Sequence, residues 1–288
     1  MNKTLKRLSL MMMLATVCTQ SWGIDRQTLI NYAQSLKGKS KAELKSALHD
    51  LIQPKKILDY GSGNGHTWYG FYYSDRIAST NECINRYSNK KFYFPSNYKY
   101  SALSGMNIEH SFPKSWWGGA KNKAYQDLYH LYPSDSKANS SKSNYPMGIV
   151  TNVKSEDEGY DKVGTGTING QDSVQCWEPG DSFKGDFSRT YFYMAVTYSN
   201  LTYEKTGLLT MSNESYPGLK PWASSLYIQW GKLDLIDATE RARNNAVASI
   251  EGNRNLFIDF PNLADYIWGD SVDVAFNPET TITTADDD

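Results

Sequence analysis

Cysteine and histidine are both scarce in this 288-residue chain, at three and four copies. Three cysteines exclude the small disulfide-stapled frameworks. Four histidines without an H-E-x-x-H pair leave few ligands for zinc, which argues against a zinc phosphatase or protease. No apolar run reaches the ~18–20 residues of a membrane-spanning helix. No internal repeat is present, and charge nearly cancels, with 30 basic against 31 acidic residues. Aromatics, in contrast, are plentiful: 8 Trp, 21 Tyr and 10 Phe. Disordered chains are depleted in such side chains, so the composition describes a folded, soluble protein.

The charge balance conceals a partition. Residues 1–23 begin with Lys3, Lys6 and Arg7, continue through a mostly apolar Leu8 to Val17, and end on Ser21, Trp22 and Gly23. Basic, apolar and small residues in that order form a secretory signal. A lipid anchor would need a small residue before Cys18, where Val17 stands. The expected destination is therefore extracellular or periplasmic, with no membrane attachment after cleavage. Only Cys83 and Cys176 then remain, and they either pair in the oxidising compartment or persist as two buried thiols. Residues 24–269 carry 27 basic and 25 acidic groups, whereas 270–288 hold six acids and no base. The chain thus divides into a leader, one domain over 24–269, and an acidic tail expected to be disordered. Within 110–144, Lys114, Lys121, Lys123, Lys137 and Lys142 face Asp127 and Asp135. A local positive excess permits, but does not prove, a phosphate-backbone partner.

Helix signals frame this domain. Asp25 can cap a helix with Leu29, Tyr32, Ala33 and Leu36 on one face. Ser40-Lys41-Ala42-Glu43 is a capping box opening a second, which Pro54 stops; His49 falls on its solvent face. Gly61-Ser62-Gly63-Asn64-Gly65 lacks the Gly-Lys-Ser/Thr of a phosphate loop, and a turn into an aromatic strand is expected there. Asp186 to Tyr198 has helical spacing. So does the stretch between Asp237 and Gly252, with Ala242, Ala246, Val247 and Ile250 inward.

The chemistry concentrates in 107–148. Glu109 and His110 close a first strand, Tyr129-His130-Leu131-Tyr132 forms a second, and Pro133-Ser134-Asp135 breaks it. Ser136 to Ser143 then forms a short helix carrying Asn139. A carboxylate and an amide oxygen are hard ligands suited to Mg²⁺, and an unligated imidazole can take a proton from water. Spacing alone is weak evidence, because Glu-His pairs are common.

The motifs themselves say more. Glu109-His110-x-x-Pro113-Lys114-Ser115-Trp116, Asp127-Leu128-x-His130-Leu131-x-Pro133-Ser134-Asp135 and Ala138-Asn139-Ser140 with Asn144 occur in order. So do Lys184-Gly185-Asp186 with Arg189-x-Tyr191-Phe192-Tyr193-Met194-Ala195, and Glu251-Gly252-Asn253-Arg254-Asn255. Together they resemble the bacterial endonuclease I family of ββα-metal (His-Me finger) nucleases. One departure is Tyr129 where the family often has a first His. The resemblance implies an α+β, largely helical single domain. It implies His110 as general base, and Glu109 and Asn139 as ligands of one divalent ion, Mg²⁺ first, with Mn²⁺ or Ca²⁺ as alternatives. Substrate contacts fall to Lys114, Trp116, His130, Lys142, Asn144 and Arg189, with the choice of site cation open between Lys142 and Arg189. Arg254 braces the fold. The implied activity is sequence-nonspecific cleavage of DNA, and of RNA as a second substrate, leaving 5′-phosphates, by a monomer without protein partners. The competing expectation is a secreted nucleic-acid-binding or adhesion module with a lapsed site; retention of Glu109, His110 and Asn139 together speaks against it.

Overall fold

The computed structural model describes residues 23–285, so the leader assigned to 1–23 lies outside the described residues except for Gly23. Three helices come first: α1 (Arg26–Tyr32), α2 (Lys41–Leu51) and α3 (Thr67–Ser74). A small antiparallel sheet, β1 (Arg76–Ile77), β2 (Glu82–Cys83) and β3 (Phe92–Tyr93), follows. Next is the antiparallel pair β4 (Met106–His110) and β5 (Leu131–Asp135), with α4 (Lys123–Gln126) in its connection and α5 (Ser136–Lys142) directly after. A meander of β6 (Asn152–Asp157), β7 (Asp161–Ile168) and β8 (Gln171–Pro179) leads to α6 (Lys184–Thr197) and α7 (Pro221–Leu233). The helices α8 (Ala238–Glu251), α9 (Leu256–Asp259) and α10 (Leu263–Trp268) complete the mixed α+β architecture.

Helix α6 is the axis. From Phe187 to Thr197 every residue is buried, as befits a helix covered on all sides. Its polar tips hold the β4–β5 pair from beneath. Tyr191 Oη donates to the Ser111 carbonyl at 2.9 Å, and Thr190 Oγ1 lies 2.7 Å from Tyr132 Oη. Tyr193 and Tyr198 both donate to Asp127 Oδ2.

Several expected elements hold. Asp25 caps α1 through Thr28 N, Asp237 caps α8 through Glu240 N, and Gly252 ends α8 in the left-handed conformation with φ of 77°. Others differ. Helix α2 starts after Ser40, but the Ser40 side chain makes no capping bond, and Glu43 pairs with Lys39 instead. Residues 67–74 form a helix rather than a strand, because Trp68 and Phe71 reach the core on one face. Gly70 lets this helix approach closely, since a Cβ there would lie 2.7 Å from the Leu128 side chain. Strand β5 runs through Pro133 instead of breaking at it. The bond from Ser111 N to the His130 carbonyl sets the register, so Pro133, opposite Ile108, falls at a non-hydrogen-bonded position where its missing N–H costs nothing.

The buried face of α8 is also turned from the expected one. It presents Glu240, Arg243, Asn244, Val247 and Glu251 inward, while Ala242 is exposed. Cys83 and Cys176 are both buried and both free thiols, so the pairing alternative is corrected. The tail is not loose either, at least as far as residue 285. Phe276 is fully buried and exchanges backbone bonds with Gly38 and Lys39, while Asp273 and Glu279 pair with Lys41 and Lys37. An acidic composition suggested solvation; here the acids meet the basic turn before α2.

Candidate active site

Adjacent residues on a strand point to opposite faces, and Glu109 and His110 obey this rule at the end of β4. Glu109 faces α5. Its Oε1 accepts a 2.7 Å bond from Lys142 Nζ, and both side chains are buried. The Lys142 ammonium also lies 5.2 Å from the Trp177 ring centroid. Burial pushes the Glu109 carboxyl above its usual range, and the Lys142 charge and hydrogen bond pull it back. Asn139 precedes Lys142 by three positions, on the same face of α5. Its carboxamide is half-buried and makes no hydrogen bond among the described residues.

His110 faces the α4 segment. Its Nε2 lies 2.9 Å from the Tyr125 carbonyl, an oxygen that can only accept. Nε2 therefore carries the proton, and in the neutral ring Nδ1 keeps a bare lone pair. Tyr60 stacks on the imidazole with centroids 5.5 Å apart, and Tyr125 packs on it at 4.7 Å. Burial, then the neighbouring His130 and Lys114, push the His110 pKa down to about 2. The ring is thus neutral at physiological pH.

Two residues see both faces. Lys114 Nζ sits 5.0 Å over the Tyr125 ring and interacts electrostatically with Glu109 and His110 alike. Tyr60, whose hydroxyl burial pushes up to about 12, stacks on His110 and feels the Glu109 charge.

The other expected substrate contacts fare differently. His130 is fully buried beneath His110, at 5.4 Å between centroids, with Nε2 on the Ala124 carbonyl and a pKa pushed down to about 4 by burial. Trp116 is 1% exposed, packs on Phe112 and Tyr191, and donates its indole N–H to the Asn144 carbonyl. Neither can stack on a base. Asn144 donates to Ser115 Oγ and ties the end of α5 to the loop after β4. Arg189 is corrected too. It is 3% exposed, forks onto both Glu240 oxygens at 2.6 Å, and reaches Asp186. Arg254 braces the fold as expected, through Asp259. Of the two basic candidates, Lys142 is the one that lies beside Glu109, although its ammonium is as buried as the Arg189 guanidinium.

Sequence reasoning missed Tyr60 and Tyr125, which no spacing linked to His110. It also missed the buried props of the 124–131 segment. Arg243 Nη2 donates to the Leu128 and Leu131 carbonyls, and Arg243 Nε to Asp75. Glu251 accepts from Leu128 N, and Asp127 from Tyr129 N. A charged residue at helical spacing reads as a solvent face until its partners are known.

The charge of the region is more one-sided than its composition. Asp127 is fully buried and Asp135 is paired with Lys90, whereas Lys121, Lys123 and Lys137 are exposed. Among the described residues no three His, Cys, Asp or Glu side chains converge as a metal cluster, so any ion here needs an amide or water to complete its shell.

The family model described as Endonuclease I matches residues 40–262. An extracellular ribonuclease of Bacillus subtilis (strain 168) is 30% identical over 247 residues, spanning 82% of this chain and 78% of that protein. An extracellular ribonuclease of Bacillus amyloliquefaciens is 31% identical over 242 residues, with the same two shares. Endonuclease-1 of Buchnera aphidicola subsp. Baizongia pistaciae (strain Bp) is 27% identical over 165 residues, 50% of this chain and 55% of that protein. Such matches place the chain among the nucleases. It belongs to the endonuclease I family.

Proposed function

We propose that the chain is a secreted, sequence-nonspecific endonuclease that hydrolyses phosphodiesters of RNA and DNA, with His110 as general base in a ββα-metal arrangement of β4, β5 and α5. The observation that carries this is the His110 imidazole: fixed at Nε2 by the Tyr125 carbonyl, with Nδ1 left free, one residue along β4 from the buried Glu109 carboxylate on the other face. Water attacking phosphorus in line loses its proton to Nδ1. The Tyr125 carbonyl then stabilises the imidazolium through the bond it already accepts. The bond to the 3′ oxygen breaks, that oxygen takes a proton from a second water, and the phosphate stays on the 5′ end. General-base assistance is worth about 10²–10⁴-fold when the base is tuned near the working pH, and a substrate phosphate beside the ring would raise its pKa from the low value that burial gives it.

The donor set fits one hard divalent ion. Glu109 supplies a buried carboxylate and Asn139 an amide oxygen with no hydrogen-bond partner among the described residues, and Mg²⁺ keeps several waters when so few protein ligands hold it. When bound, the ion would neutralise charge developing on the phosphate. Lys142 and Lys114 supply the fixed positive charge, and none of these groups reads a base edge. Export is supported by the layout of residues 1–23 and by relatives named extracellular. RNA is supported as a substrate by the ribonuclease names of those relatives, and DNA by the endonuclease match.

Digestion of RNA, single-stranded and plasmid DNA across Mg²⁺, Mn²⁺ and Ca²⁺, with and without EDTA, tests the reading. Cleavage of both nucleic acids that chelator silences and His110→Ala abolishes is expected, the variant melting lower than the parent for the buried ring it loses yet staying folded at the assay temperature. DNA shifted in a gel but never shortened would identify a binding module instead.

A further inference from the structure

We infer that a tyrosine platform beside the active site binds the unpaired bases of a substrate strand. The inference rests on the nuclease reading and names the form of substrate that the site takes. Tyr69 and Tyr73 lie four residues apart on one face of α3, with ring centroids 4.9 Å apart. Tyr100 packs on Tyr69 at 4.9 Å, and its hydroxyl lies 3.4 Å from that of Tyr73. Tyr72 and Tyr98 stack alongside at 5.3 Å, and the Arg76 guanidinium covers Tyr72 at 4.2 Å. Tyr73 is 47% exposed, and the other four rings are half-buried. A cluster of rings that is only partly covered offers surface on which bases can stack.

Its position selects the ligand. Gly63 N donates to the Tyr100 carbonyl at 2.8 Å, and Ala102 N donates to Ser62 Oγ. The same glycine loop starts at Tyr60, the ring stacked on His110. Three residues of chain span at most about 10 Å, so the platform begins within a few nucleotides of the scissile phosphate. Gly61 and Gly63, both at φ of 120°, hold this short path in a backbone form that side chains rarely adopt. Arg76 and the exposed Lys99 add positive charge at the platform edge. Rings edged by cations, and joined to the His110 site through the 60–63 loop, suit a single strand, whose base faces are free. In a duplex those faces are already stacked on one another. Stacking is also indifferent to base identity, which agrees with nonspecific cleavage.

The test compares Tyr73→Ala and Tyr73→Trp with the parent enzyme on three substrates: an octanucleotide, a duplex, and a dinucleotide too short to reach from His110 to the platform. Tyr73→Ala is expected to raise KM for the octanucleotide by about 5- to 150-fold, with kcat unchanged and the duplex and dinucleotide unaffected. Tyr73→Trp is expected to restore the parent KM. Equal effects on dinucleotide and octanucleotide, or none on either, overturn the platform. Fluorescence anisotropy of a labelled octanucleotide in EDTA reads binding without cleavage. Binding by the parent that Tyr73→Ala does not weaken, or no binding by the parent, sinks this inference. A parent that binds the strand in a Tyr73-dependent way yet cleaves nothing in any metal sinks the nuclease reading instead.

Discussion

A lysine with no exposed surface beside a glutamate that is nearly as buried is an expensive arrangement in a protein interior. Removing either partner strands a charge and costs about 3–5 kcal/mol, while replacing both with apolar groups is often neutral. Glu109→Ala and Lys142→Met should therefore each lower stability by about that amount in denaturant melts, and the double variant should recover most of it. Calorimetry separates the two roles. Lys142→Met keeps the carboxylate and should bind Mg²⁺ at least as tightly as the parent, whereas Glu109→Ala and Asn139→Ala should lose the ion. Unaltered Mg²⁺ binding in Glu109→Ala would remove that residue from the ligand set. Of the residues in this site, Glu109, His110 and Asn139 were legible as a spaced motif. Lys142 was one of two basic candidates, and the 2.7 Å bond that sets it beside Glu109 came only with the structure.

At the scale of elements, the segment 124–131 sets the orientation of both imidazoles, since its carbonyls at Ala124 and Tyr125 fix His130 and His110. It is a loop with one turn of helix, and its rigidity is borrowed from α8 through Arg243 and from α6 through the tyrosines on Asp127. Arg243→Met should cost about 1–3 kcal/mol by leaving the Leu128 and Leu131 carbonyls without their donor, while Asp75 keeps its pair with Arg86. It should also cut kcat on the order of 10²-fold, the usual penalty for a misplaced catalytic group. A stability loss with kcat intact would show that the segment holds its shape without Arg243. Hydrophobic periodicity located α8 but turned it wrongly, because its inward residues are charged and its alanine at 242 is not needed inside. Propensity likewise favoured a strand at 67–74, and the core contacts of Trp68 and Phe71 overrode it.

For the whole molecule, pH and the chain end are the levers. His130 has an ordinary value of 6.5 and falls to about 4 when folded. A depressed value means that protonation favours the unfolded chain. The contribution is intact above pH 6.5 and is lost as pH falls towards 4, by about 3 kcal/mol at 1.36 kcal/mol per unit. Asp161, raised to about 6 by burial, works in the opposite sense over part of that range. The parent and His130→Asn should therefore be compared directly. Between pH 7 and 4 their stability difference should shift by about 3 kcal/mol in favour of the variant, and parallel curves would refute the buried, neutral His130. At the chain end, Phe276 is fully buried against the rest of the core. Ending the chain at residue 269 should lower stability by at least the ~3–5 kcal/mol of a buried Phe→Ala change, and an unchanged melting temperature would mean that the docked tail contributes nothing.

Local signals in the amino-acid order were enough to determine the helix caps at Asp25 and Asp237, the stop at Gly252 and the general run of α6, because each depends on residues a few positions apart. Tertiary structure alone decided which face of α8 points inward, that Arg189 belongs to Glu240 rather than to substrate, that the two thiols stay apart, and that Tyr60 and Tyr125 enclose the imidazole. Those outcomes turn on partners tens to hundreds of positions distant, and a charge or a ring takes its role from the partner it meets in space.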